Sequence, residues 1–225
     1  MNKIIVCGFP HCGTSILKSV IGHCEEVCEI IKEKKHIEQP SVSHKYTLCK
    51  YPFPLSLEGD YGDYTKIMIM RNPVYVFSSL NRRFDREVGR TCLPDNHSIE
   101  SYIQALSIFD EINSGENNFH KLIYSQIFEN DFLEIRKLLD SLDLNYDDKI
   151  FDNSLWFNRI VCRDVWSKKD GIISPKKHEA YRTYQINQPF SNKNDSDKIH
   201  LSKQQIMEIK QSEIINKYFD TSMVG

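Results

Sequence analysis

The chain has 225 residues and a formal net charge of −2, from 29 basic and 31 acidic side chains. This balance provides no overall positive field that would attract nucleic acid or an anionic membrane surface, so neither is expected as a partner. With a hydrophobic fraction of 40%, the composition is that of a globular protein, and we expect a single domain over residues 1–225.

No apolar stretch approaches the roughly 20 residues that cross a bilayer, so no transmembrane segment is expected. The N-terminus lacks the zones of a signal peptide, and the seven cysteines are scattered and odd in number. Both features indicate reduced thiols and a cytoplasmic location. His23, Cys24 and Cys28 could form half of a zinc site, but no second half follows, and no metal is expected.

The first structural signal is the segment KIIVCGFPHCGTSILKSVI, from Lys3 to Ile21. An apolar run typical of a strand meets turn residues at Gly8 and Pro10, and a helical pattern begins after Gly13. A strand, a glycine-containing loop and a helix direct free backbone N–H groups and the positive end of a helix dipole at one place. The segment therefore predicts an anion site in the loop.

The middle of the chain alternates short strands with helices. The charged segment 25–38 is interpreted as a solvated helix face or a loop, with a short strand possible before Glu29. Strands are predicted at YTLCK (46–50) and KIMIM (66–70). A helix is expected to begin near Pro73, because proline suits the first helical turn.

The remainder of the chain continues this alternation. Helices are predicted over 98–113 (with Ser98 as its cap), 131–142 and 201–219, and a strand over 121–124. Residues 153–200 are interpreted as an irregular lid or acceptor region, within which 191–198 is expected to be a flexible loop. Strands that alternate with helices predict an α/β fold with a central parallel sheet, and ligands at the carboxyl ends of its strands.

The first loop has the spacing of a phosphate cradle. It reads G-x-x-x-x-G-T-S from Gly8 to Ser15. The P-loop of nucleoside triphosphatases has a lysine directly after its second glycine, where it reaches the β- and γ-phosphates, and here that position is Thr14. The loop thus indicates phosphate binding without the cation that grips a triphosphate. A tight strand-to-helix turn without a ligand is the alternative.

A second candidate anion site follows the strand KIMIM. Arg71 comes directly after that strand, and Ser79 lies eight positions further on, about two helical turns into the next helix. A guanidinium and a hydroxyl placed in this way can hold one phosphate from two sides. The alternative is an arginine that caps the strand end and a serine on the surface.

Together these motifs resemble those of the sulfotransferases that use 3′-phosphoadenosine 5′-phosphosulfate (PAPS). The family's 5′-phosphosulfate loop reads approximately (F/Y/V)-P-(R/K)-(S/C)-G-T-(T/S), and this chain has FPHCGTS from Phe9 to Ser15. The family's 3′-phosphate motif is similar to RNPVYVFSS, from Arg71 to Ser79. LCKYPF (48–53) and the segments 121–144 and 201–219 resemble further family segments in the same order. The resemblance implies a P-loop NTPase-like, three-layer α/β fold.

The resemblance implies that the first loop holds the 5′-phosphosulfate of PAPS with backbone N–H groups and hydroxyls. Its residues are Pro10, His11, Cys12, Gly13, Thr14 and Ser15. Lys50 would lie near the oxygen that bridges phosphorus and sulfur, and would stabilise the charge on that oxygen as the sulfuryl group leaves. The alternative for Lys50 is a solvated lysine at a strand end.

The same resemblance implies which residues bind the 3′-phosphate and the adenine of the nucleotide. Arg71 and Ser79 would bind the 3′-phosphate, and Tyr124 would lie near the adenine, unless it is only a core tyrosine. In many relatives a basic, glycine-containing segment closes over the 3′-phosphate. SKKDGIISPKK (167–177) could be that segment, with Lys168 or Lys169 at the phosphate, or a solvated run of charge.

Two departures from the family pattern concern charge and the general base. His11 stands where the family has arginine or lysine, and a free histidine, with a pKa of about 6.5, is mostly uncharged at neutral pH unless an anion holds its proton. The chain also lacks the K-x-H motif of cytosolic relatives, because Lys50 is followed by Tyr51 and Pro52. Carbohydrate and tyrosylprotein relatives use a glutamate after the first helix. That pattern makes Glu29 and Glu33 candidate bases and favours a carbohydrate-type acceptor.

The sequence therefore predicts a sulfotransferase that moves a sulfuryl group from PAPS to a hydroxyl or amine of a small-molecule or carbohydrate acceptor. It would release adenosine 3′,5′-bisphosphate and need no metal. One alternative is a P-loop-type nucleotide kinase or phosphotransferase, which requires a lysine after Gly13 and an acidic magnesium ligand. The other is a sulfotransferase-like protein that binds a nucleotide without catalysis.

Overall fold

The computed structural model describes residues 2–30, 33–53, 61–87, 93–113, 118–152, 166–169, 172–175, 190–195 and 198–224. Within these ranges a five-stranded parallel sheet has the order β2-β3-β1-β4-β5. Its strands are β1 (Asn2–Gly8), β2 (Val27–Glu29), β3 (Tyr46–Lys50), β4 (Tyr64–Met70) and β5 (Phe119–Ile123). A separate antiparallel hairpin consists of β6 (Trp166–Lys169) and β7 (Ile172–Pro175).

Helices cover both faces of the sheet. They are α1 (Thr14–Ile21), α2 (Pro73–Glu87), α3 (Ile99–Glu111), α4 (Leu133–Ser141), α5 (Lys203–Gln211) and α6 (Glu213–Tyr218). None of the helices in the described ranges is long and apolar enough to cross a membrane. The predicted three-layer α/β fold with a central parallel sheet is confirmed.

The central strand β1 is buried on both faces, which explains its continuous apolar run. Ile4 and Val6 belong to a cluster with Leu17 of α1 and the apolar side of α4. Ile5 and Cys7 belong to the opposite cluster, which contains the apolar sides of α2, α3, α5 and α6. Since successive strand residues point to opposite faces, one short segment supplies both halves of the core.

The strand register brings the predicted site positions to one edge. Val6 is paired with Lys50 on β3, and Gly8 is paired with Ile69 on β4, one residue before that strand ends. Met70 is paired with Ile123, the last residue of β5. The residues that follow β1, β4 and β5 therefore leave the sheet side by side at its carboxyl edge, together with Lys50.

The described part of the charged segment after α1 is a loop, as one of its two interpretations had it, apart from one short strand. It contains β2, which pairs with β3, and the chain then continues along β3 through hydrogen bonds from Ile30 N to Leu48 O (2.8 Å) and from Lys34 N to Lys50 O (3.1 Å). This course carries Glu33 to the end of β3. The possible short strand before Glu29 is confirmed, and it includes Glu29 as its last residue.

Serine side chains cap the N-termini of α3, α5 and α6, which pack on the same face of the sheet as α2. Ser98 accepts a hydrogen bond from Ser101 N, as predicted, and Ser202 forms a capping box with Gln205 at the start of α5. The closing helix was predicted as one unit. The structure divides it at Ser212, whose side chain accepts from Ile215 N and begins α6.

Gly8 is the residue at which β1 turns into the first loop. Its φ is +150°, and a Cβ at this position would lie 2.3 Å from the carbonyl oxygen of Ile69 on the neighbouring strand. The close approach of β1 and β4 at this point excludes every side chain.

We predict that Gly8→Ala lowers the free energy of unfolding by about 3 kcal/mol, because backbone strain and overpacking add. Gly62→Ala is the control, since a Cβ there meets nothing within 4 Å, and it should change stability by less than about 0.5 kcal/mol. Urea unfolding of both variants measures the difference. Equal stability of the two would contradict the close approach of the strands.

Candidate functional site

The N-terminus of α1 presents free backbone donors at the carboxyl edge of the sheet. Gly13 precedes the helix with a φ of 99°, no side chain caps the helix, and its first turn has no acidic residue. The first hydrogen bond of this end runs from Leu17 N to Gly13 O (3.1 Å). In the described part of the chain, the N–H groups of Thr14 and Ser15 have no partner. These groups and the helix dipole favour a bound anion.

Tyr124, which directly follows β5, forms a wall beside this loop. A Cβ at Gly13 would lie 2.5 Å from Cδ2 of the Tyr124 ring, so the loop can approach the ring only because position 13 is glycine. The other neighbour of the ring is Arg71, whose guanidinium carbon lies 4.4 Å from the ring centroid. This cation–π contact holds Arg71 next to the first loop.

Arg71 is the central charged group of the edge, and it is only 8% exposed. Its guanidinium donates to His11 O (3.3 Å), to Lys193 O (2.7 Å) and to the side-chain oxygen of Asn194 (2.8 Å). All three acceptors are neutral, and in the described ranges no carboxylate pairs with Arg71. Burial accordingly lowers the pKa of Arg71. A buried cation that is solvated but not neutralised favours an anionic ligand.

Residues 191–195, the described part of the expected loop 191–198, lie outside any helix or strand, as predicted, and residues 191–194 contact the site. In addition to its contacts with Arg71, the segment accepts a hydrogen bond from Tyr124 Oη at Ser191 O (3.4 Å) and donates one from Lys193 N to Tyr124 Oη (3.2 Å). Carbonyl oxygens of this polar segment accept hydrogen bonds from the buried guanidinium of Arg71. Asn194 and Lys193 are therefore site residues that the sequence interpretation missed.

His11 points its side chain toward the second anion motif. Its Nδ1 lies 2.7 Å from Ser79 Oγ, and its Nε2 lies 3.4 Å from Nη1 of Arg83. Arginine only donates, so Nε2 accepts and Nδ1 carries the proton. Arg83 was also missed, although its position four residues after Ser79 places both on one helix face.

The surroundings of His11 keep its ring neutral. The residue is only partly exposed, and burial, reinforced by the positive charges of Arg83 and Arg71, lowers its pKa to about 3. The loop therefore lacks the positive charge that a family arginine or lysine would supply. Cys12, on the next position, is held as a neutral thiol, since burial raises its pKa to about 12.

Lys50 lies at the first loop. Its ammonium donates to Ser15 Oγ (2.7 Å) and pairs with Glu33 Oε1 (2.9 Å). Lys50 is 8% exposed, so this lysine is not a solvated strand end. The structure thus brings together a hydroxyl of α1, a cation of β3 and one of the two candidate glutamates.

The other candidate glutamate has a different partner. Glu29 Oε1 pairs with the ammonium of Lys18 at 2.9 Å, and both side chains are largely buried. Lys168 and Lys169 belong to β6, but their side chains lie outside the described part of the structure. Within that part, no group of three His, Cys, Asp or Glu residues could hold a metal ion.

The pKa of His11 predicts a specific dependence of stability on pH. The unfolded chain, with a histidine pKa of about 6.5, binds a proton before the folded chain does. Stability that is present above pH 6.5 is therefore lost as the pH falls from about 6.5 toward 3, at up to about 1.4 kcal/mol per pH unit.

We expect His11→Asn to reduce the loss of unfolding free energy between about pH 7 and pH 5 by about 1–2 kcal/mol. Urea unfolding at the two pH values measures this loss. His44→Asn, at an exposed histidine far along the chain, is the matched control and should leave the pH dependence unchanged. An equal pH dependence in wild type and His11→Asn would contradict a buried neutral ring.

Comparison with known proteins adds a structural relative. No protein-family model matches the chain, and no curated protein matches it in sequence. Among solved structures, the crystal structure of mouse sulfotransferase SULT7A1 complexed with PAP is similar to this chain, with a TM-score of 0.55 and 12% sequence identity. The match covers 97% of this chain and 89% of that chain. The P-loop NTPase-like fold expected from the sequence is thus the fold of this chain.

Proposed function

We propose that the chain is a PAPS-dependent sulfotransferase, which moves a sulfuryl group to a hydroxyl or amine of a small-molecule acceptor and releases adenosine 3′,5′-bisphosphate. The observation that carries the proposal is the presence of two adjoining anion sites at one sheet edge. The uncapped N-terminus of α1 is one, and the buried, un-neutralised Arg71 is the other. The mouse structure is complexed with PAP. PAP is adenosine 3′,5′-bisphosphate, which carries two separate phosphates.

In this proposal, each of the two anion sites binds one end of the nucleotide. Thr14 and Ser15 would donate backbone N–H groups to the 5′-phosphosulfate. Arg71 and Ser79 would bind the 3′-phosphate, with Arg83 as an added cation on the same helix face as Ser79. Lys193 and Asn194 contact Arg71 directly, so in this proposal their segment lies over the 3′-phosphate. The assignment of Lys168 or Lys169 to that phosphate stays a prediction.

Lys50 is assigned to the leaving group. During transfer, negative charge develops on the oxygen between phosphorus and sulfur, and an ammonium held beside that oxygen stabilises the transition state more than the ground state. The 2.7 Å contact with Ser15 and the 2.9 Å pair with Glu33 fix the ammonium at the loop in advance. Glu33 then orients Lys50, because a carboxylate paired with an ammonium is a weak base.

The neutral His11 favours a second candidate function, a nucleotide-binding protein without turnover. A pKa of about 3 leaves the loop without its usual positive charge. A bound 5′-phosphosulfate would raise the pKa of His11 again, because its negative charge favours the protonated ring. Nucleotide binding is common to both functions, and turnover separates them.

We also propose that the protein works in the cytoplasm. The described cysteines, Cys7, Cys12, Cys24, Cys28 and Cys49, are all free thiols. Free thiols are the usual state in a reducing compartment.

The direct test of function is acceptor-dependent release of adenosine 3′,5′-bisphosphate from PAPS, across a panel of phenols, aliphatic alcohols, sugars and amines. We expect turnover with at least one class, and we expect Lys50→Ala to lower kcat about 10²–10³-fold with little change in nucleotide affinity. Removal of the ammonium affects mainly the transition state.

Lys45→Ala is the matched control for this lysine. Lys45 immediately precedes the same strand at its opposite end, where it pairs with the exposed Asp143, and its loss should leave kcat unchanged. Tight binding of adenosine 3′,5′-bisphosphate without turnover in any class would identify the binding protein instead. Stabilisation by ATP with magnesium, and none by the bisphosphate, would overturn the sulfotransferase proposal.

A further inference from the structure

Two tyrosine rings, those of Tyr124 and Tyr75, contact the guanidinium of Arg71. The guanidinium carbon lies 4.4 Å from the ring centroid of Tyr124 and 5.8 Å from that of Tyr75. Both distances are within the roughly 6 Å over which a cation and a ring face attract each other. Arg71 is buried, and a desolvated pair of this kind attracts more strongly than an exposed one.

Tyr75 approaches Arg71 from the first turn of α2. Tyr75, Ser79 and Arg83 are spaced four residues apart on this helix, so they share one face of it. Ser79 and Arg83 are the residues of this face that meet His11 of the first loop. Tyr75 is thus turned toward the same site, and the sequence predicted no role for it.

Tyr124 is fixed beside Arg71 by its backbone and by its hydroxyl. Its N–H donates to the carbonyl oxygen of Met70, the residue before Arg71, at 2.8 Å. Its hydroxyl donates to Ser191 O and accepts from Lys193 N. Burial raises the pKa of this hydroxyl, so it keeps the proton that it donates. The ring therefore has one defined position at the end of β4.

Little of the Tyr124 ring is open to a nucleotide base. Arg71 lies over the ring, Gly13 approaches it closely, and Phe128 packs edge to face against it at 5.1 Å. Only 3% of Tyr124 is exposed. A base that stacked here would have to displace one of these contacts. The surroundings of the ring favour a role toward Arg71 over the adenine contact that the family resemblance implies.

The ring contacts and the hydrogen bonds of Arg71 differ in what they leave for a ligand. The carbonyl groups of His11 and Lys193 and the amide of Asn194 each take an N–H donor of the guanidinium. An anion needs such donors, so it competes with these acceptors. A ring face attracts the delocalised charge and takes no N–H donor. The two rings can therefore hold Arg71 in place while its donors change partners.

We propose that Tyr75 and Tyr124 are positioning residues, which hold the guanidinium of Arg71 for the 3′-phosphate and so set the preference for a nucleotide that carries it. This inference rests on the proposed function, in which Arg71 binds that phosphate. Without the rings, the long arginine side chain must be ordered when the nucleotide binds, and this lowers affinity. The loss falls on the 3′-phosphate, because a ligand that lacks this group does not use Arg71.

The test compares adenosine 3′,5′-bisphosphate with AMP, which lacks the 3′-phosphate, and its readout is the ratio of the two affinities by titration calorimetry. We expect Tyr124→Leu to lower this ratio by about 10-fold and Tyr75→Leu by about 5-fold, because each loses a cation–π contact with a buried guanidinium and the order that the contact imposes. Tyr124→Phe keeps the ring, so it should lower the ratio by less than about 3-fold.

Tyr218→Leu is the matched control. The ring of Tyr218 lies 5.4 Å from the ammonium of Lys217 instead of contacting Arg71, so its loss should leave the ratio unchanged. A second check repeats Tyr124→Leu in the background of Arg71→Ala. There it should lower the ratio no further, because no guanidinium is left to position, whereas independent structural damage would add.

The outcomes separate this inference from the function on which it rests. An equal loss of affinity for both nucleotides in Tyr124→Leu would identify an adenine contact, and a loss of the ratio in Tyr124→Phe as large as in Tyr124→Leu would identify the hydroxyl; either would overturn the role of the ring. An unchanged ratio in either leucine variant would overturn the role of that tyrosine, and a further loss in the Arg71→Ala background would overturn positioning. If wild type prefers the bisphosphate and Arg71→Ala does not, these results leave the proposed function intact. A wild type that binds neither nucleotide would overturn both.

Discussion

The candidate site depends on how the buried charge of Arg71 is accommodated. Its guanidinium follows β4 at the carboxyl edge of the sheet and is solvated by the carbonyl groups of His11 and Lys193 and the amide of Asn194. The hydroxyl of the buried Tyr102 binds the carbonyl of Arg71 at 2.7 Å and fixes its backbone. These contacts compensate for lost hydration, but they do not cancel the charge. An anion is the partner that the described residues lack.

The same arginine couples the two ends of the site. It stacks on Tyr124, and the ring of Tyr124 lies against Gly13 at the N-terminus of α1. Ser79 and Arg83 approach from α2 and meet His11 of the first loop. An anion bound at either end would therefore change the electrostatics of the other, chiefly through the ring of His11. This arrangement suits a nucleotide with two separate charged groups better than a triphosphate.

Local signals in the sequence predicted the strands of the central sheet, the first loop, the cap at Ser98 and the positions of Arg71 and Tyr124, because each depends on residues close together in the chain. The contact between Asn194 and Arg71 could not be predicted in this way, since it joins residues more than a hundred positions apart. The ion pairs of Glu29 and Glu33 are likewise set by tertiary packing.

The proposed contact between Arg71 and the 3′-phosphate of an adenosine nucleotide can be measured directly. Titration calorimetry with adenosine 3′,5′-bisphosphate and with AMP, which lacks that phosphate, tests it on wild type and Arg71→Ala. A buried, charge-assisted contact contributes about 1.5–3 kcal/mol, so wild type should prefer the bisphosphate by about 10- to 100-fold, and Arg71→Ala should lose most of that preference. Equal affinity of wild type for the two nucleotides, or an unchanged preference in Arg71→Ala, would contradict a 3′-phosphate contact at Arg71.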